Sequence, residues 1–115
     1  MRPIFKYTLD EKTGQINVLT ITDYEEKVSH PYSAFPNGRY WRYKRGTLFY
    51  VYERDLDKFK SGHVYTFNNS INHARQIIYD AIEAKYRKSY SEVDRWRKVI
   101  RRMEDVQKSD RVNLW

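Results

Sequence analysis

RYWRYKRGTLFYVYE, residues 39–53, is the stretch whose reading decides the fold. It carries Tyr40, Trp41, Tyr43, Phe49, Tyr50 and Tyr52, six of the nineteen rings that three Trp, eleven Tyr and five Phe make, beside the cations Arg39, Arg42, Lys44 and Arg45. β-branched and aromatic residues on both sides of Lys44-Arg45-Gly46-Thr47 predict two short strands meeting at a turn. Neighbouring side chains on a strand point to opposite faces. Trp41 and Tyr43 therefore share one face of the first strand, and Tyr40, Arg42 and Lys44 the other; on the returning strand Phe49 and Val51 oppose Leu48, Tyr50 and Tyr52. Rings on both faces are more than one core needs. One set fills an interior, and the other is expected to form a platform of aromatic and guanidinium groups, of the kind that stacks bases at roughly 1–3 kcal/mol each. The same composition also suits a half-exposed sheet with no ligand, because aromatic residues are favoured in strands.

Working outward toward the N-terminus, residues 4–9 (IFKYTL) and 15–22 (QINVLTIT) read as a hairpin around DEKTG, with Gly14 free to take a positive φ. Residues 23–38 break the pattern with an acidic patch (Asp23, Glu25, Glu26), Pro31, Pro36 and the turn pair Asn37-Gly38. This segment is expected to be a loop anchored by Tyr32 and Phe35, or to hide a short helix around residues 24–28. Toward the C-terminus, Leu56 and Phe59 suggest one helical turn within residues 54–62, ended by Gly62, and HVYTF (63–67) reads as a last short strand. All these connections are too short for parallel crossovers, so the sheet is expected to be antiparallel.

The remainder is helical in pattern. Asn68, Asn69 and Ser70 offer capping oxygens to a helix over 71–88, with Ile71, Ala74, Ile78, Ala81, Ile82 and Lys85 in one stripe and Ile77 beside it. Ser89 and Glu92 match a capping box for a second helix reaching residue 107. Its apolar face is Val93, Trp96, Ile100 and Met103, edged by Val99 and Val106. Residues 108–115 show no periodicity. The expected fold is a single α+β domain, 1–115: an antiparallel sheet of four to five strands, two hairpins plus a short strand, with two C-terminal helices packed on one face.

Composition narrows the function. The 115 residues include no cysteine, which excludes a disulfide framework and thiolate chemistry. No apolar run approaches a membrane span and no secretory core follows Met1, so a cytoplasmic protein without a membrane partner is expected. Net charge is +7. Residues 1–57 hold nine Lys or Arg against eight Asp or Glu, and 58–115 hold thirteen against seven, so the excess belongs to the second half. Such a balance favours nucleic acid, nucleotides or an acidic protein surface as partner. Within 85–102 the balance is +6, with Arg95, Arg97, Lys98, Arg101 and Arg102 on the second helix, which reads either as a phosphate-tracking ridge or as a solvated face interleaved with Asp94 and Asp105.

Catalytic signatures are sparse. His30, His63 and His73 fall in different elements without metal-site spacing, and no G-x-S-x-G elbow or phosphate-cradling glycine loop occurs among four glycines. Glu83-Ala84-Lys85 has an E-x-K spacing, but on a helix those two side chains diverge by about 200°. Gly38-Arg39-Tyr40, Tyr50-Val51-Tyr52, Arg54 and Glu83 follow an order that resembles GIY-YIG nucleases, where a two-tyrosine hairpin precedes an arginine and a helical glutamate. The resemblance spans residues 38–83. It implies a mixed sheet entered by the hairpin and a glycine where Tyr52 stands, and here two strands precede the hairpin.

The expected function is a non-enzymatic small protein that binds or sequesters an anionic ligand, namely single-stranded nucleic acid, RNA or a nucleotide, with no cofactor and no metal. Tyr40, Trp41, Tyr43, Tyr50 and Tyr52 would stack, and Arg39, Arg42, Lys44, Arg45, Arg97 and Arg101 would meet phosphates. The alternative is an inhibitor or adaptor of the phage or mobile-element type that blocks a larger protein or nucleoprotein complex, because Tyr, Trp and Arg equally mark protein interfaces. A metal-dependent nuclease is third. Oligomeric state is left open, a homodimer included.

Overall fold

The computed structural model describes residues 2–33, 36, 38–43, 50–86 and 93–112. The chain is α+β. Among the described residues seven strands run β1 (Ile4–Leu9), β2 (Ile16–Ile21), β3 (Tyr24–Val28), β4 (Arg39–Tyr43), β5 (Tyr50–Tyr52), β6 (Phe59–Lys60) and β7 (His63–Thr66), followed by helices α1 (Ile71–Tyr86) and α2 (Val93–Val112). A single 3₁₀ turn, Glu53–Asp55, separates β5 from β6.

The strands form two antiparallel sheets rather than the one expected. β2-β1-β7-β6 make the first, and β3-β4-β5 make the second. The reason lies in β1. Its neighbours β2 and β7 occupy both of its edges, so the 39–52 hairpin has no place beside it. β1 is also apolar on both faces. Tyr7 and Leu9 join one core with Val64, Ala74, Ile78, Ile82, Trp96, Val99 and Met103. Ile4 turns the other way and joins Ile21, Tyr24, Trp41 and Val51 in a second core. Each fully buried Ile or Val is worth roughly 1.5–3 kcal/mol over exposure, so leaving Ile4 and Ile21 uncovered would be costly; the three-stranded sheet covers them.

The expected loop or helix at 24–28 is instead β3, hydrogen-bonded to β4 in the register Tyr24↔Tyr43 to Val28↔Arg39. In place of the helical turn expected from Leu56 and Phe59 within 54–62, a 3₁₀ turn covers Glu53–Asp55, Leu56 is extended, and Phe59–Lys60 pairs with β7 as a two-residue strand. Asp57, at φ 59°, reverses the chain between them; its N–H donates to the Tyr65 carbonyl at 2.9 Å and its carboxylate meets His73 Nε2 at 3.0 Å.

The helices follow from cap and stripe. The Ala74 N–H donates to the Ser70 carbonyl at 3.4 Å, which makes Ser70 the cap position; the Ser70 N–H in turn donates to Asn68 Oδ1 at 2.9 Å and the Asn68 N–H to Thr66 Oγ1 at 3.1 Å, so the turn that starts the helix is tied back to β7. In α1, Ala74, Ile78 and Ile82 are buried at a spacing of four. In α2 the buried set is Trp96, Val99 and Met103, which rotates the stripe from the expected Ile100 to Val99. α2 also runs to Val112, beyond the expected 107. The Ser89–Glu92 capping box lies outside the described residues.

The β1–β2 turn is seated on α2. Gly14 is buried at φ 77°, and a Cβ there would stand 2.3 Å from the Arg102 carbonyl carbon. Around this contact Arg95 reaches Glu11 with one nitrogen on both carboxylate oxygens, at 2.9 and 3.1 Å, and Arg102 donates to the Glu11 carbonyl at 2.8 Å.

Candidate functional site

Alternation along β4 divides its residues between an inner and an outer face. Trp41 and its cross-strand partner Val51 point inward, at 4% and 1% exposure. Tyr40 and Arg42 point outward, opposite Tyr52 and Tyr50 respectively. The Tyr40 ring lies 5.5 Å from Tyr52 and 5.8 Å from Tyr50, centroid to centroid, at 42° and 56°. On the other flank, Lys27 stands opposite Tyr40 and Glu25 opposite Arg42. The outer face of the second sheet is therefore a tyrosine cluster bordered by Lys27 and Arg42, with Tyr50 44% exposed.

The remaining expected site residues divide. Trp41 belongs to the core, its ring edge-on to Phe67 at 5.3 Å and 81°, so it is withdrawn from the stacking set. Arg39 is on the inner-face parity at the sheet margin, 2.6 Å from Glu26 Oε1 and 3.5 Å from Glu53 Oε2, with its guanidinium 5.5 Å from the Trp41 ring. Two carboxylates compensate that charge. The Tyr43 backbone pairs with Tyr24. Lys44 and Arg45 lie outside the described residues. Arg97 and Arg101 are exposed on α2, a helix whose buried residues share the core of the first sheet. The structure therefore brings together Tyr40, Arg42, Tyr50 and Tyr52 and leaves the α2 cations in another layer.

Sequence reasoning missed two concavities. A hollow of about 180 Å³ beside Tyr50 is lined by Lys58, Lys60, Ser61, His63 and Tyr65 as well as Asp55. Lys60 Nζ is 3.5 Å from Asp55 Oδ1, and Lys6 Nζ sits 5.7 Å from the Tyr65 ring centre. The only sequence signal was the alternation of Lys58 and Lys60 with Phe59. A larger open cleft, about 990 Å³, lies between the β1–β2 turn, the β6–β7 turn and α2. Its Lys85 and Arg95 both stand over the Trp96 ring, at 4.7 and 5.1 Å, and Glu11 takes Arg95. That cleft mixes signs, and its geometry serves to hold α2 against the hairpin.

The nuclease-like order of residues is not assembled around one point. Tyr40 and Tyr52 lie on the outer face of the second sheet, whereas Glu83 belongs to α1, which packs against β6, β7 and α2. Among the described residues no group of three His, Cys, Asp or Glu could hold a metal ion, and no helix is long and apolar enough to cross a membrane.

Burial depresses the His63 pKa below its ordinary 6.5, and the Lys6 charge adds to this, against a weaker backbone hydrogen bond at Ser61. Asp57 is raised by burial, but hydrogen bonds to Thr66 and His73 and the charge of His73 outweigh that, leaving it below 3.8. For both groups the unfolded chain binds more protons, so stability rises with pH. The His63 contribution is complete above about pH 6.5 and is lost as pH falls below it; that of Asp57 is lost only as pH falls below its unfolded value. Thermal unfolding between about pH 7 and pH 5 is expected to show a falling Tm, and His63→Gln to flatten that slope. An unchanged slope in the variant would assign the pH dependence elsewhere.

No known protein family, curated protein or solved structure matches this chain.

Proposed function

We propose that this chain binds single-stranded nucleic acid on the outer face of β3-β4-β5, stacking bases on Tyr40, Tyr50 and Tyr52 and meeting phosphates with Arg42 and Lys27, without turning the ligand over. One observation carries the reading: Tyr40, Tyr50, Tyr52 and Arg42 share the face opposite Trp41 and Val51 rather than being sealed beneath the sheet, with Lys27 at its border 3.6 Å from Glu25. Rings presented on a sheet surface, with cations at the border, suit unpaired bases, since every base has a face to stack. The hollow beside Tyr50 extends the cationic border through Lys58 and Lys60. At about 180 Å³ it is smaller than the 300–1,000 Å³ typical of pockets that enclose a small-molecule ligand, and the hollow beside Tyr52, about 340 Å³ between Arg39 and Arg54, stands at the bottom of that range. A strand lying across the surface therefore fits better than a free nucleotide enclosed in a pocket. The reading takes both C-terminal helices to cover the face of the first sheet away from the tyrosines, which the shared core of Tyr7, Leu9 and Val64 with α1 and α2 supports.

The test is fluorescence anisotropy of a labelled single-stranded RNA or DNA oligonucleotide at two salt concentrations. Tyr40→Ala combined with Tyr52→Ala is expected to weaken binding by about 30-fold or more, given about 1–3 kcal/mol per stacked base. Arg42→Gln should reduce the salt slope by about one phosphate contact. A salt-insensitive or absent response in the parent chain would overturn the reading and point to a protein partner for the same tyrosines.

A further inference from the structure

β2 is an edge strand of the first sheet: among the described residues it pairs with β1 alone. Its stretch, QINVLTIT (15–22), contains neither a charge nor a proline in a chain that is 32% charged. Natural edges are normally blunted by those devices, because a row of unpaired N–H and C=O groups is a template for another strand. Here the edge also presents Val18 and Leu19, 55% and 58% exposed, one on each face.

The backbone phase of that edge follows from two hydrogen bonds. The Leu9 N–H donates to the Gly62 carbonyl, on the β7 side, and the Asp10 N–H to the Gln15 carbonyl, on the β2 side. With alternation along an antiparallel ladder, Gln15, Asn17, Leu19 and Ile21 direct their backbone groups toward β1. Ile16, Val18 and Thr20 direct theirs to the open edge.

We infer that this edge is a self-association site, where β2 pairs antiparallel with β2 of a second copy about a two-fold axis at Val18. In that register Val18 meets Val18 of the other copy and Ile16 meets Thr20, so each outward-facing N–H and C=O of the three residues finds a partner. The face parity is kept, so the two four-stranded sheets become one. Val18 packs against its own counterpart on one face, and Leu19 meets Asn17 on the other, with the second Leu19 diagonal to it. A second copy suits this edge better than a charged peptide because the pairing is self-complementary. It also puts two chains of net charge +7 together along their uncharged stretch. This inference is independent of the tyrosine face.

Sedimentation equilibrium of the full chain over a wide concentration range tests it. The parent is expected to show a concentration-dependent monomer–dimer equilibrium, as a single strand edge is a small interface. Val18→Lys places like charges opposite each other and should raise the dimer dissociation constant at least about tenfold, with an unchanged far-ultraviolet circular dichroism spectrum. Should the first variant not fold, Thr20→Lys, which puts a charge against Ile16 of the other copy at the paired edge, should also weaken the dimer, by a smaller factor. As the chain has no other thiol, a nitroxide on Val18→Cys reports the register: the dimer should show strong dipolar broadening, relieved by dilution with unlabelled chain. A parent monomeric throughout, a dimer indifferent to both lysine variants, or an unbroadened spectrum in a dimer would each overturn the inference.

Discussion

Gly14→Ala is expected to lower Tm by about 8–20 °C. Two costs combine. A non-glycine residue in the left-handed region loses about 1–2 kcal/mol, and Gly14 sits at φ 77°. The added Cβ would also stand 2.3, 2.5 and 2.6 Å from the Arg102 carbonyl carbon, the Met103 nitrogen and the Arg102 oxygen. Those are backbone atoms of a helix interior and cannot swing aside as a flexible side chain would, so overpacking costs about 1–3 kcal/mol more. For a domain of this size each kcal/mol corresponds to about 4 °C. Arg95→Ala is the control, because it removes the exposed pair with Glu11 while leaving the seat intact, and should cost about 1 kcal/mol or less. A Gly14→Ala chain that melts together with the parent would show that the turn does not rest on α2.

Trp41→Ala carries the second large effect, and it falls on the fold before the ligand. Trp41 is 4% exposed, between Ile4, Ile21, Tyr24 and Val51, with Phe67 against its edge. Truncating such a residue costs about 3–5 kcal/mol. It is the largest side chain of the core that joins the two sheets, so the tyrosine face should lose its support as well. Binding is then expected to fall together with Tm in Trp41→Ala, whereas Tyr40→Ala with Tyr52→Ala should lose binding at nearly the parental Tm. Trp41→Phe, which keeps a ring in the core, should retain most of both. If Trp41→Ala abolished binding while melting like the parent, the ring would belong to the ligand and not to the interior.

How far the sequence discloses this arrangement depends on how local each signal is. IFKYTL, QINVLTIT and HVYTF announce strands because their β-branched and aromatic residues are read without reference to a partner. YEEKV does not, since three of its five residues are charged. β3 exists because β4 pairs with it, which no period within five residues reveals. Phe59–Lys60 is likewise a strand only through β7. α2 continues through 108–112, where neither Gly nor Pro stops it; an apolar stripe is the wrong signal to follow there. At the site, parity alone separates Tyr40 from Trp41 and groups Tyr50 with Tyr52. Which group faces water was not legible, because both are aromatic. The choice is made by Ile4 and Ile21, residues of the other sheet that need a cover.

The seat of Gly14 on α2 has a bearing on biosynthesis. The hairpin leaves the ribosome well before α2, since Arg95 and Arg102 stand 84 and 91 residues downstream of the Glu11 they hold. Until those codons are translated, Tyr7 and Leu9 can meet α1 but not the Trp96, Val99 and Met103 of α2. The uncharged stretch at 15–22 meanwhile travels as an unprotected strand. Closure is postponed until α2 has emerged, when long-range contacts of the kind that slow folding are made, and crowding of nascent chains on a polysome becomes the hazard this architecture has to survive.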